Sequence, residues 1–492
     1  MDSNIESARV PDVKQQLRRE MGLWDVLLFN IAAVLGPRWI AAAAHNGTSS
    51  ISLWIIAALF FFVPTALVIT ELSTRFPHEG GLYVWSKDAF GDFHGFVAGW
   101  TYWVYTFFYF PGLLAASASM AAYVGGPGTA NFAQNKTFIL IGSLLLLAVA
   151  VWLNIIGLNV GKWLQNAGGV GTYVPLLMLV MVAFFVWLNH GSQTHFTWAN
   201  IRPGLNWDAL VHLRPGFDWD RLNLWSQIAF AFTGLELVSA MSDEVKDPHK
   251  TFPRAIFASG VLIALIYIVG TIAVLVLLPA DQVDPKSGVF QALTSGSSLL
   301  KLTFVGVTAA ILVTAGNAGG VGSTVAGVAR VPFIVGVDRY MPEAFGRIHP
   351  RWRTPYISIL VQALISAAIL LLTFRWNSVN GAYQTLVNAA VILYFVPFLY
   401  MYAAVIKLAY RKDRLENKKA ILIPGGIPGV WITGGLGFVV VMASILLSLV
   451  PPGETSSKLL FEVQVIGGTV TAIGIGLVLY FRGARQKSKA AA

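Results

Sequence analysis

The chain has 492 residues, of which 56% are hydrophobic and only 12% are charged. Soluble proteins average about 25% charged residues, so a soluble protein of this size could not cover its surface with polar groups. The composition therefore predicts a protein solvated by a lipid bilayer. The chain contains no cysteine, which excludes disulfides and thiolate metal sites.

Apolar runs long enough to cross a bilayer, about 20 residues each, recur along the whole chain. In chain order they predict twelve transmembrane helices, at 23–46, 51–73, 93–124, 137–157, 166–189, 222–242, 254–279, 299–329, 355–374, 382–409, 429–450 and 461–481. The predicted fold class is an all-α polytopic membrane protein.

The net charge of +10 could suggest a nucleic-acid partner, but its placement favours a different interpretation. Cytoplasmic loops of membrane proteins retain Lys and Arg. With the N-terminus inside, the predicted inner segments hold 25 of these residues and the outer segments hold eight. The pattern predicts a multi-pass protein of the plasma membrane with both termini in the cytoplasm, and no nucleic-acid partner.

Two of the predicted spans are interrupted near their middle. In the first, Gly36 and Pro37 adjoin and Arg38 follows; in the sixth, Gly234 precedes Glu236. Proline removes a backbone donor and clashes with the preceding turn, so a continuous first helix is not expected. Interrupted helices at matching places in two halves indicate the binding site of a secondary transporter.

Spans 1–5 and 6–10 form these halves, and an odd number of spans makes the second half cross the membrane in the opposite direction. At each break, free N–H groups and a positive dipole end suit a carboxylate, whereas free carbonyls suit an ammonium group or Na⁺. A site with both kinds of group suits a zwitterion such as an amino acid.

Three segments carry a family resemblance. They are Glu71–Trp85, with Glu71-Leu-Ser-Thr-Arg and later Gly80-Gly81-Leu-Tyr83; Phe232–Ile256, with Phe232-Thr-Gly-Leu-Glu236; and Ala329–Pro355, with Asp338-Arg-Tyr-Met-Pro342. In this order they resemble amino-acid permeases of the amino acid–polyamine–organocation superfamily, over roughly residues 20–480. The resemblance implies alternating-access transport and the LeuT-type 5+5 inverted repeat with discontinuous helices 1 and 6.

The domain organisation follows from the spans and this repeat. It comprises a cytoplasmic N-terminal segment (1–20), the first repeat (21–190), an extracellular loop (191–220), the second repeat (221–410), a cytoplasmic basic loop (411–428), two peripheral helices (429–482) and a cytoplasmic tail (483–492).

The resemblance also implies site residues. The family's first-helix motif falls on Gly36, Pro37 and Arg38, whose backbone N–H groups would bind the substrate carboxylate. The implied acceptors of the substrate amino group are carbonyls near Ala33, Val34, Phe230 and Thr233, beside Gly234 at the second break, and either Phe230 or Phe232 is the implied aromatic gate. The sequence departs from the pattern here, because Pro37 has no N–H and Arg38 replaces a glycine.

An arginine inside a membrane span is a functional hypothesis by default, and three readings of Arg38 stay open. It pairs with Glu236 or Glu71 as a structural contact, it binds an anionic group of the substrate, or it replaces a lysine that some family members carry in the fifth helix. Thr172 takes the place of that lysine here. Arg38, Glu236, Glu71 and Thr172 are therefore the candidates for gating or coupling.

The predicted function is secondary transport of amino acids or related amine-bearing metabolites, with uniport, exchange and proton symport left open. The expected partners are a small-molecule substrate and the lipid bilayer, with protons as an open possibility. A polyamine or organocation carrier is the first alternative, and a membrane amino-acid receptor without transport is a second. Neither enzymatic activity, a metal nor a cofactor is expected.

Overall fold

The computed structural model describes residues 22–76, 81–156, 161–202, 219–237, 245–328, 342–347, 349–352, 354–412, 414, 420–452 and 457–491. These residues are mainly helical and contain no β-strand. In the first part of the chain the helices are α1 (Leu23–Val34), α2 (Pro37–His45), α3 (Ser49–Ala57), α4 (Val63–Arg75), α5 (Leu82–Phe90), α6 (Asp92–Val104), α7 (Thr106–Ala121), α8 (Lys136–Ile156) and α9 (Gly161–His190).

The later helices follow the same pattern of long apolar elements with short connections. They are α10 (Trp198–Ile201), α11 (Trp219–Ala231), α12 (Pro248–Leu277), α13 (Gly288–Leu299), α14 (Thr303–Val328), α15 (Tyr356–Trp376), α16 (Val379–Leu408), α17 (Gly426–Ser448) and α18 (Lys458–Ala491). A π-helical turn, Ala58–Phe62, joins α3 to α4, so these three elements form one continuous rod.

Within the described ranges, nine helices are long and apolar enough to cross a membrane. They coincide with nine of the twelve predicted spans, which confirms the all-α class. Three predicted runs remain. The run at 23–46 is divided between α1 and α2, and in the run at 222–242 the α-helix ends at Ala231. The run at 299–329 corresponds to α14, whose apolar part is described at Thr303–Asn317. The exact count of twelve stays a prediction.

The centre of the bundle is α16, which is buried along most of its length and contacts α5, α6, α7 and α17. The outer helices instead present apolar side chains to their surroundings: Leu145 and Trp152 of α8, Val439 of α17 and Val470 of α18 are all more than half exposed. Such side chains suit a lipid-facing surface, because lipid tails are as apolar as the side chains themselves.

Glycine allows the closest approach between helices, because it has no side chain to separate two backbones. A Cβ atom added to Gly171 of α9 would lie 2.3 Å from the carbonyl oxygen of Leu312 in α14. These two helices therefore touch backbone to backbone beside α1, where the hydroxyl of Tyr173 donates to the carbonyl of Leu28 at 3.0 Å.

Candidate functional site

The first predicted interruption is confirmed between α1 and α2. Helix α1 stops at Val34, Leu35 and Gly36 adopt extended backbone angles, and α2 starts with Pro37 at its first position. Proline suits that position because its missing N–H would have had no helical partner there. The break therefore leaves the backbone groups around Gly36 available to other parts of the molecule.

The α-helix of the sixth predicted run, α11, ends at Ala231, three residues before Gly234, where the second interruption is predicted. After Ala231 the chain makes i+3 hydrogen bonds, including Thr233 N–H to the Phe230 carbonyl at 3.0 Å. Gly234 has a φ of 119°, a backbone conformation that is open to glycine and strained for other residues. Its N–H donates to the Glu236 carboxyl at 3.0 Å, so the side chain of Glu236 caps this break.

Tyr267 of α12 joins the two breaks. Its hydroxyl accepts a hydrogen bond from the N–H of Gly36 at 3.2 Å, and lies 2.7 Å from the carbonyl oxygen of Val34 and 3.1 Å from that of Ala231. A hydroxyl has one proton to donate, so only one of the two carbonyls receives it at a time. Two of the backbone groups that the sequence assigns to substrate binding, at Val34 and Gly36, are thus bonded to a side chain in this structure.

Arg38 is buried, with 3% of its surface exposed, and lies between aromatic rings. The guanidinium carbon is 4.4 Å from the ring centroid of Trp39 and 4.7 Å from that of Tyr109 in α7. Both rings contact Phe230, at centroid distances of 5.5 and 6.0 Å. Among the described residues, no carboxylate lies within ion-pair distance of Arg38.

Glu236 lies on the other side of Phe230 and is held by tyrosines. Its carboxyl accepts a hydrogen bond from Tyr102 of α6 at 3.1 Å and a second, short one from Tyr394 of α16, in addition to the bond from Gly234. Three donors directed at one carboxyl group suit its ionised form, which can only accept.

A cluster of aromatic side chains lies between Arg38 and Glu236. It consists of Tyr102, Tyr105, Tyr109 and Tyr394. Tyr105 lies 5.6 Å from Tyr109, 5.7 Å from Tyr102 and 4.6 Å from Tyr394, measured between ring centroids. The Phe230 ring lies 5.1 Å from that of Tyr394. These rings line one region between α2, α7, α11 and α16, here called the aromatic region, and Arg38 and Glu236 lie at its two ends.

The structure distinguishes the two phenylalanines that were candidates for an aromatic gate. Phe230 lies within the aromatic region, whereas Phe232 packs against Trp54 and Phe62 at centroid distances of 5.4 and 5.0 Å and against Tyr267 at 5.6 Å. Phe232 is fully buried in that separate cluster. Phe230 is therefore the one that neighbours Arg38. The side chain of Ala33 lies outside the described residues.

Glu71 lies away from the breaks, at the end of α4. Its carboxylate binds Nη1 of Arg75 at 3.1 Å, Nε and Nη2 of Arg414 at 2.9 and 3.1 Å, and the N–H of Ile423 at 2.8 Å. The structure brings Glu71 together with these two arginines rather than with Arg38. This cluster fixes the connection between α16 and α17 against α4.

Thr172 is half-buried on α9, next to Gly171 and Tyr173. Those neighbours contact α14 and α1 respectively, so Thr172 lies where α9 meets both helices. Its coupling role stays a prediction.

A second buried ion pair lies beyond the end of α2. Lys286 is fully buried and its Nζ is 2.9 Å from the carboxylate of Asp284. Burial alone would raise the pKa of Asp284, but the charge of Lys286 and hydrogen bonds from the backbone of Lys286 and Ser287 hold it below its ordinary value. The pair borders an open cavity of about 520 Å³ that His45, Gln134 and Asn380 also line.

Several side chains at the site were missed by the sequence analysis. The tyrosines at 102, 105 and 109 recur with helical spacing on one face, which is a visible signal but one shared with ordinary core packing. Among the described residues, the buried hydroxyl of Tyr383 and the buried Oε1 of Gln227 have no hydrogen-bond partner. Gln227 donates instead through Nε2 to Asn223 and Gln384, at 3.1 and 2.8 Å.

Comparison with known proteins identifies the family. The profile of the family described as "Amino acid permease" matches residues 21–471. The chain belongs to the amino acid permease family. The permease is 28% identical to an uncharacterized transporter of Legionella pneumophila, over 93% of this chain and 96% of the relative.

Two further relatives are named for the compounds that they transport. A serine/threonine exchanger of Bacillus subtilis is 26% identical over 73% of this permease and 77% of its own length. A protein of Lactococcus lactis named as a probable agmatine/putrescine antiporter is 22% identical over 94% of this permease and 95% of its own length. These relatives are transporters rather than enzymes.

The crystal structure of MhsT in complex with L-phenylalanine superposes on the permease with a TM-score of 0.59. The match covers 86% of this chain and 97% of that one, at 15% sequence identity. At this identity the likeness concerns the fold alone, and it shows that the permease has a LeuT-like fold.

Proposed function

We propose that this permease moves amino acids across a cell membrane by alternating access, with the substrate bound between the two helix breaks. The observation that carries the proposal is the convergence of both breaks on one place. Tyr267 bonds to backbone groups of both, while Arg38 and Glu236 flank the same aromatic region. Unwound backbone at membrane depth is tolerated only where protein or a cavity satisfies it, and such places are where transporters bind substrate.

The proposed topology is the twelve-span arrangement with both termini in the cytoplasm and a ten-helix core of two inverted repeats. Its support is the placement of the breaks in the first and sixth runs and the excess of Lys and Arg on one side. In this arrangement α1 and α2 cross the membrane in the direction opposite to α11.

The substrate is proposed to replace hydrogen bonds that the protein makes with itself at the breaks. The Val34 carbonyl and Gly36 N–H are bonded to Tyr267 in this structure, and an amino acid with its own ammonium and carboxylate groups can replace that hydroxyl. The carbonyl of Phe230 accepts two bonds from Thr233, at 3.0 and 2.6 Å, so it is a weaker candidate. The ring of Phe230, in contact with Trp39, Tyr109 and Tyr394, is proposed to close over the substrate.

Glu236 is the proposed coupling residue. A proton on its carboxyl would convert one acceptor oxygen into a donor and weaken at least one of the bonds to Gly234, Tyr102 and Tyr394. That change would loosen the second break, which gives proton symport a physical route. Exchange needs no such step, and Thr172 stays a candidate for gating or coupling in either case.

A polyamine carrier is less well supported. A polycation would have to approach Arg38, whose charge faces rings rather than a carboxylate within the described part of the site. In a desolvated site, like charges repel strongly. The relative from Lactococcus lactis is named as a probable agmatine/putrescine antiporter, so polyamines belong in the substrate panel.

The test is uptake into proteoliposomes against a panel of amino acids and polyamines, with and without a pH gradient. Amino-acid uptake is expected, and Glu236→Gln is expected to remove any dependence on the gradient. The absence of flux with every compound would refute transport. Uptake that is unchanged in both Arg38→Ala and Glu236→Gln would exclude this site.

A further inference from the structure

Among the described residues, the charge on Arg38 has no counterion. The side chain is 97% buried, and its guanidinium contacts the faces of Trp39 and Tyr109. Contact with aromatic faces offsets part of the cost of burying a cation, but a buried charge without an ionic partner is normally removed or compensated. Among the described residues the two candidate partners, Glu71 and Glu236, are engaged elsewhere.

The backbone groups at the first break are already bonded in this structure. The N–H of Gly36 is bonded to Tyr267 and Pro37 has none. The guanidinium of Arg38 contacts the faces of Trp39 and Tyr109, and both of these rings contact Phe230. The guanidinium therefore lies in the aromatic region that would surround a substrate side chain.

Two further polar groups near this region are buried and have no hydrogen-bond partner among the described residues: the hydroxyl of Tyr383 and Oε1 of Gln227. Gln227 lies one helical turn before Phe230, and its amide nitrogen bonds to Gln384, the residue after Tyr383. Buried polar groups without a partner are rare and require an explanation. A carboxylate on a ligand could accept a hydrogen bond from the Tyr383 hydroxyl, whereas Oε1 of Gln227 is itself an acceptor and would need a donor.

We propose that the preferred substrates are amino acids whose side chain carries a second carboxylate, and that Arg38 binds this carboxylate. The inference rests on the proposed transport function and deepens it by naming the substrate class. An acidic amino acid has a net charge of −1, so it supplies the counterion that Arg38 lacks among the described residues. The planar guanidinium can hold a carboxylate through two parallel hydrogen bonds.

The test compares acids with their uncharged amides, which have nearly the same shape. Initial uptake of L-glutamate, L-glutamine, L-aspartate and L-asparagine is measured in proteoliposomes containing the full chain. The wild-type protein is expected to favour each acid over its amide by about 10- to 100-fold in kcat/KM, as for a charged hydrogen bond in a buried site. Arg38→Gln is expected to abolish that preference while retaining uptake of the amides.

The control is Arg375→Gln, which removes an exposed arginine that stacks on Trp376 and is expected to leave the ratio unchanged. If Arg38→Gln does not give a monodisperse protein, Arg38→Lys is measured instead. Lysine keeps the charge but loses the planar fork, so the acid preference is expected to fall about tenfold.

Three outcomes would overturn the proposal. Equal uptake of acids and amides by the wild-type protein would do so. A loss of uptake in Arg38→Gln that is equal for acids and amides would also do so, since Arg38 would then bind the α-carboxylate that all four amino acids share. In these two cases amino-acid transport itself stands. If none of the four amino acids, nor any other compound of the panel, is transported, both the substrate class and the proposed function fail.

Discussion

Replacing Tyr267 with phenylalanine is expected to strengthen substrate binding, because it removes the hydroxyl that the substrate would otherwise have to displace from the breaks. The substitution removes one oxygen atom and leaves the ring in place, stacked on Trp54 at a centroid distance of 4.3 Å and an interplanar angle of 8°. The lost oxygen is the one that accepts from Gly36 and donates to the carbonyl of Val34 or Ala231. The change is therefore confined to the hydrogen bonds that connect the breaks.

The magnitude follows from the number of bonds that one hydroxyl can make here. It donates one and accepts one at a time, and each hydrogen bond contributes about 1 kcal/mol net, or up to about 3 kcal/mol where the remaining group stays buried without a partner. Two bonds give about 2 kcal/mol as a lower value. Since about 1.4 kcal/mol corresponds to a factor of ten, KM is expected to fall about 30-fold, because the substrate no longer has to break these bonds.

The assay is initial uptake into proteoliposomes with the best substrate of the panel, together with thermal unfolding of the purified protein. A matched control is Tyr402→Phe. Its hydroxyl is also buried and lies 2.6 Å from the hydroxyl of Thr65, outside the breaks. The control is expected to lower stability and leave KM unchanged. An unchanged KM in Tyr267→Phe, or a change equal to that in the control, would refute the role assigned to this hydroxyl.

Glu71→Gln leaves two buried arginines without their carboxylate and is expected to cost about 3–5 kcal/mol of stability. The expected result is a lower melting temperature with an unaltered KM. A changed KM at normal stability would instead indicate that Glu71 belongs to a gate. Lys286→Met is expected to lower the free energy of unfolding by a similar amount at pH 7. That loss should vanish in acid, because the pair stabilises the protein above about pH 4 and ceases to do so as the pH falls through the lowered pKa of its aspartate. Gly437→Ala would place a Cβ 2.2 Å from the ring of Tyr402 and should destabilise by about 1–3 kcal/mol, whereas Gly435→Ala, which meets nothing within 4 Å, should not.

The helix breaks were predictable because their cause is local. Gly36 and Pro37 within an apolar run interrupt a helix through the chemistry of the residues themselves, and the structure places the end of α1 two residues before Gly36. The second break was predictable from Gly234 for the same reason. Long apolar runs likewise identify most spans from the sequence, because bilayer thickness sets their length.

The neighbours of the charges were not predictable, because they depend on how distant helices pack. Arg75 follows Glu71 by one helical turn and could be expected as its partner, but Arg414 reaches the same carboxylate from 343 positions away. The contact between Arg38 and Tyr109 likewise requires the packing of α2 against α7. A single sequence does not contain that information, so the neighbours of Arg38 could not be predicted from it.

The two breaks are stabilised in different ways, and this difference constrains how they can move. Glu236 caps the second break from within its own segment, through the N–H of Gly234, whereas the first break depends on Tyr267 from α12. Because the Tyr267 hydroxyl also lies within bonding distance of Ala231, displacement of either break alters the partners available to the other. A substrate that replaces this hydroxyl would have to satisfy both breaks at once, so binding would select one relative placement of α2 and α11. That requirement links substrate recognition to the position of the two half-helices, as alternating access demands.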